Sequence, residues 1–224
     1  QIINTSNLST FQPSNFPTFQ SLMSSHHFVK EQQEPALLIL NTAGISFDQV
    51  APLLEWVPTL LVAQEAVPVV LSWGIKIDLI LAEMEFQKSN YHLLEEQYPV
   101  KFLGVQGDKF LDEGLQYLIA SKHGAVNIIG LDHLKVFDLE PMLEFLDIVV
   151  WDGPIRYFPI QNGQFKKWFP ETSIQLHAPE GTILEIQNPE GNEIVQVKYA
   201  TFIEVEEGTT IIKGKGNFWI GEFV

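Results

Sequence analysis

Cysteine is absent from the 224 residues. With it go disulfides, zinc–thiolate centres, iron–sulfur clusters and thiol nucleophiles. Positive charge is scarce: 13 Lys and Arg face 28 Asp and Glu, a formal net charge of −15. Arg156 is the single arginine, so bidentate guanidinium clamps on phosphate are nearly out of reach. Such a chain repels a phosphodiester backbone, which excludes general nucleic-acid binding. No apolar run reaches the ~18 residues of a membrane span; the longest stretch, 59–75, is broken by Gln64, Glu65 and Pro68. The first charged residue is Lys30, so no basic segment announces a secretory signal. A soluble, cytoplasmic protein without membrane contact is expected. Neither GxGxxG nor GxxxxGK(S/T) follows the first apolar run, and Ser72 and Ser173 lack a nucleophile-elbow context.

What is present falls into three regions. Residues 1–34 are rich in Asn, Ser, Thr, Gln, Pro and Phe without periodicity and read as an irregular leader. Met23 is a plausible start, and the adjacent His26 and His27 lack a third ligand at metal spacing. From 35 to 152, short apolar runs (ALLILN, TLLVA, IDLILA, VKFLGV, AVNIIG, DIVVW) alternate with helical patterns. Unbroken apolar runs suit strands buried on both faces, so this region reads as a three-layer α/β parallel-sheet domain. From 153 to 224 the helices stop. Short alternating stretches separated by NG, PEG, EEG and GKG imply an all-β antiparallel sandwich, jelly-roll-like.

Ligands of an open parallel sheet bind beyond the carboxyl ends of its strands. The loops there carry Glu83, Glu85, Asp108, Asp132 and His133, with Asp112 one helical turn further on. Converging carboxylates suit Mg²⁺; solvated loops of an acidic protein carry the same residues without a metal. His133 beside Asp132 is the His–carboxylate pair of these loops.

With both halves in this order, the chain resembles thiamin pyrophosphokinases of the Bacteroidetes type. The likeness runs from Met23 to the C-terminus through MSSHHFVKEQQEPALLILN, LLEW with Pro58, GIKIDLIL, EEQYPV, GLQYLI with HGAVNI, FKKW and KGKGN. It implies ATP-dependent pyrophosphorylation of thiamin with Mg²⁺, and a homodimer whose sites lie between the α/β half of one subunit and the β half of the other. The family's motifs are altered here. Asn-Gly after the first strand reads Asn41-Thr42, and the Asp after the second is Gln64. Gly-Asp-x-Asp reads Ala82-Glu83-Met84-Glu85. Gln-x-x-Thr-Asp runs from Gln106 to Phe110, and Gly-Lys-Arg-x-Asp-His reads His133 to Asp138 with Lys135 for arginine and Phe137 for aspartate. A Ser-Ser-Asn stretch of the β half has no counterpart.

By the resemblance, Glu83, Glu85 and Asp112 take the catalytic places, the two glutamates also as magnesium ligands. Asn41, Gln64, Gln106 and Lys135 take nucleotide- or substrate-binding places. Phe110 and Phe137 stand where aspartates are expected, and phenyl rings cannot ligate a cation, so they are expected to fill the cleft. Three readings follow. The first is a degenerate homologue that keeps the fold and the dimer, loses pyrophosphoryl transfer and binds thiamin, a nucleotide or a protein partner. The second is an active kinase using ATP and Mg²⁺. The third is a structural or interaction protein.

Overall fold

The structure is a computed structural model describing residues 34–224; the leader through residue 33, with Met23, His26 and His27, lies outside the described residues. The unbroken apolar runs form strands β1 (Ala36–Ile39), β2 (Leu60–Ala63), β3 (Leu79–Ala82), β4 (Lys101–Gly104), β5 (Ala125–Ile129) and β6 (Asp147–Asp152). Between them lie α1 (Phe47–Leu54), α2 (Val67–Ser72), α3 (Met84–Ser89), α4 (Leu93–Glu96), α5 (Phe110–Ala120) and a 3-10 segment, His133–Met142. Every residue of β1, β2 and β3 is buried. Alternation along each strand divides that apolar surface between two faces. Ala36, Leu38, Leu61 and Leu81 pack toward Leu115 and Leu118 of α5 and toward Val136 and Leu139. Leu37, Ile39, Leu60 and Val62 pack toward Val50 of α1 and Val67 and Val70 of α2. The three-layer α/β arrangement follows from this two-sided burial.

Eight further strands follow: β7 (Ile155–Ile160), β8 (Gln164–Phe169), β9 (Thr172–His177), β10 (Ile183–Asn188), β11 (Gly191–Gln196), β12 (Ala200–Val205), β13 (Gly208–Gly214) and β14 (Phe218–Phe223). One ten-stranded sheet has the order β12-β9-β14-β7-β6-β5-β1-β2-β3-β4, and a four-stranded sheet the order β11-β10-β13-β8. The pairing is parallel from β6 to β4 and antiparallel from β6 to β12. The sequence reading of a parallel sheet followed by a separate sandwich is therefore corrected in one respect. The sheet does not break near Asp152: β6 pairs with β5 in parallel and with β7 antiparallel, and the extended sheet supplies one wall of the sandwich. Phe169, Ile174, Leu176, Leu184, Ile186, Ile212, Phe218 and Ile220 fill the space between the two walls.

One charged group is buried in that sandwich. Glu222 on β14, 5% exposed, accepts from Arg156 of the adjacent strand at 2.8 Å and from Lys167 of the opposite sheet at 2.7 Å. A buried carboxylate is tolerable only with such partners, and this one ties both walls together. Because both cations remain partly exposed, solvent screens part of the attraction. Glu222→Gln keeps the shape and removes the charge; we expect a loss of about 1–3 kcal/mol, read as a lower midpoint in urea denaturation with unchanged slope.

Candidate functional site

The parallel strands run β4-β3-β2-β1-β5-β6, so the chain reverses its direction of winding between β1 and β5. The crevice at such a switch point is where an open α/β sheet receives a ligand. A cavity of about 700 Å³ lies there, lined by Asn41 and Ala43 after β1 and by Gly130, Leu131 and Asp132 after β5. The two loops touch. Gly130 has φ of +79°, and a Cβ at that position would collide with the carbonyl oxygen of Asn41. Asn41 Oδ1 accepts from the Ala43 backbone N–H at 2.6 Å, which closes the loop on its own side.

Six carboxylates line the cavity (Glu65, Asp108, Asp112, Asp132, Asp138 and Asp152), with the ammonium of Lys135 as the lining cation. The structure thus brings together six of the residues named from sequence: Asn41, Asp108, Phe110, Asp112, Asp132 and Lys135. Glu83 and Glu85 are exposed at the start of α3, outside the lining. Gln64 also lies outside; its Oε1 accepts from the Glu83 backbone N–H at 2.8 Å. Gln106 is exposed and does not line the cavity either.

The expectation of a filled cleft needs correction. Phe110 begins α5 and forms part of the cavity wall while packing on the core. Phe137 lies in the 3-10 segment, packs on the same core and meets Tyr199 edge-on at 6.1 Å. Neither ring closes the crevice: Phe110 stands in its wall and Phe137 lies outside the lining.

Sequence reasoning missed the acids Glu65, Asp138 and, most of all, Asp152. Asp152 ends β6, and strand-end position was the available signal; the residue was read instead as a boundary. Its Oδ2 accepts from His133 twice, from Nδ1 at 2.6 Å and from the backbone N–H at 3.1 Å. Asp132, the sequence neighbour, stands 3.8 Å from Nδ1 and caps the 3-10 segment by accepting from Leu134 N–H at 2.9 Å. Among the described residues, Asp132, His133 and Asp152 bring three donor atoms within 4.8 Å of one another.

The β half holds this corner in place. The His133 ring stacks on Tyr157, with centroids 5.2 Å apart and planes 5° from parallel. His177 sits at right angles to both, 5.3 Å from each. Tyr199 donates its hydroxyl to the Leu134 carbonyl at 2.7 Å. Tyr157 donates to Gln175 Oε1 at 2.6 Å; burial, followed by the charges of Asp152 and Asp132, pushes its phenol well above the usual range. His177 is wholly buried, and desolvation, then His133, push its imidazole down to about 4.

Thiamin pyrophosphokinase from Candida albicans superposes with a TM-score of 0.66 at 9% identity, over 87% of this chain and 90% of that one. The enzyme from Bacillus subtilis gives 0.65 at 10% identity over 84% and 99%. That from Geobacillus thermodenitrificans gives 0.63 at 9% over 84% and 97%. This chain has the thiamin pyrophosphokinase fold. No protein-family model and no curated protein sequence matches it. Identities near 10% carry the thiamin pyrophosphokinase architecture alone, so the chemistry must come from the residues of this cavity.

Two expectations follow. Gly130→Ala forces a side chain into a left-handed backbone conformation and into Asn41; a stability loss of at least about 1 kcal/mol is expected, with a lower melting temperature as the readout. His177 binds its proton near pH 4 when folded and near 6.5 when unfolded. Stability from this group is therefore complete above pH 6.5 and drains as pH falls toward 4, by up to about 3 kcal/mol. His177→Phe should flatten that slope in denaturation curves taken between pH 4 and 7; an unchanged slope would count against it.

Proposed function

We propose that the chain is a thiamin pyrophosphokinase-like protein that keeps the ligand crevice of the fold and has lost efficient pyrophosphoryl transfer. It retains binding of a small cationic heterocycle of the thiamin class. The observation that carries this reading is the charge of the cavity: six carboxylates against one lysine. A triphosphate needs cationic and amide donors around its oxygens and a metal held by convergent carboxylates. Lys135 is the lining cation, the glutamates named for magnesium stand outside the lining, and Phe110 occupies the wall. With Lys135 as the lining cation, the phosphate oxygens of magnesium ATP would meet too few donors for efficient transfer, even with the metal held by the carboxylates. A positively charged ring fits them, since the surrounding carboxylates attract it.

On this reading residues 35–152 act as the pyrophosphokinase-like part and 153–224 as the thiamin-binding-like part, in a homodimer. Isothermal titration calorimetry with thiamin, and separately with magnesium ATP, tests it. Saturable heat with thiamin, weakened at least tenfold by Asp112→Asn, is the expected result, together with AMP release far below an ordinary turnover of ~1 s⁻¹. Turnover at or above that rate would establish the active kinase instead. Absence of heat with thiamin would remove the binding claim.

A further inference from the structure

Asp132 and Asp152 line the cavity, and His133 joins them from the same corner. The two carboxylates come from different strand ends, β5 and β6, and are fixed by backbone N–H groups: Leu134 donates to Asp132 and His133 donates to Asp152. Both therefore keep a second oxygen for another partner. The His133 ring is fixed as well, by its stack on Tyr157. Beside the triad sits a polar group with nothing to bond. His177 is 0% exposed, edge-to-face with His133 at 5.3 Å, and neither of its ring nitrogens has a hydrogen-bond partner among the described residues. A buried imidazole without donor or acceptor partners points to a ligand or water that the chain itself does not supply.

We propose that Asp132, His133 and Asp152 form a binding site for a divalent first-row transition cation on the wall of the cavity. The donor set is mixed, two carboxylate oxygens and one imidazole nitrogen, which suits zinc or manganese better than the all-oxygen shell magnesium prefers. Three protein ligands leave a coordination position open toward the cavity, as in catalytic rather than structural sites. The 2.6 Å contact between Nδ1 and Asp152 now holds a proton in the place the ion would take. Ligation through Nδ1 puts the remaining ring proton on Nε2 and leaves the imidazole neutral. The site differs from the Glu83 and Glu85 pair in both position and ligand type. It does not depend on the thiamin reading, since the ion itself is the ligand and thiamin need not bind.

The test uses the full chain, stripped with a chelator and titrated calorimetrically with zinc chloride alone. One zinc per chain is expected, with His133→Gln and Asp152→Asn each weakening binding at least ~10-fold and a His26→Gln/His27→Gln double variant binding as the parent does. Magnesium should compete poorly. Because the variants could lose the fold, a second measurement uses the unmodified protein: manganese should broaden the NMR resonances of His133 and His177 before those of His92 and His123. Absence of saturable zinc binding overturns the proposal. So does loss of binding confined to the His26/His27 variant, or manganese broadening centred elsewhere.

Discussion

Strand β6 bonds to β5 in one direction and to β7 in the other, and the cavity depends on that double pairing. Had the sheet ended at β6, the loop after β5 would be braced on its α/β side alone. Because the sheet continues, β7 and β9 bring Tyr157 and His177 against His133. The antiparallel half thus sets the geometry of a crevice whose walls belong to the parallel half. Asp152 is the joint: it ends the last parallel strand, lines the cavity and holds His133 through two hydrogen bonds.

Electrostatics then narrows what the crevice can hold. Like charges gathered on one concave surface raise one another's energy unless a cation neutralises them, and low-dielectric walls strengthen the effect. Six acids with one lysine make a field that concentrates cations. The chain as a whole, at −15, adds to that field rather than opposing it. Fold similarity to pyrophosphokinases is silent on this field, which belongs to side chains that the backbone comparison does not see.

Much of the architecture was legible in the sequence because burial on both faces leaves unbroken apolar runs, and ALLI, LLVA and LILA appear as fully buried strands. The β half was legible through its turn residues. Continuity of the sheet was not, because hydropathy records how deeply a strand is buried and not which neighbour it bonds. Within the site, Asn41, Asp112 and Lys135 were found by strand-end position and motif place, and all line the cavity. Glu83 and Glu85 occupied equally good places in the sequence, yet their side chains stay in solvent as α3 begins. Asp152 escaped because the partner of His133 lies 19 residues away, whereas the sequence offered the adjacent Asp132.

A chain of contacts carries the consequences from an interior strand of the sandwich to the crevice. Gly221 on β14 lies opposite Tyr157 on β7, and any Cβ at residue 221 would run into the Tyr157 ring. The missing side chain lets that ring lie flat enough to support His133. His133 in turn orients Asp152, whose carboxylate faces the cavity. Close-packed interiors transmit such displacements rather than absorbing them, so a methyl group at residue 221 acts on the crevice through two rings and a carboxylate. The same logic explains why Tyr199 tolerates φ of +67°. Its hydroxyl bond to Leu134 and its ring contacts with Phe137 and His177 hold the loop after β5 from the sandwich side, and backbone strain of this kind persists where surrounding contacts outweigh it.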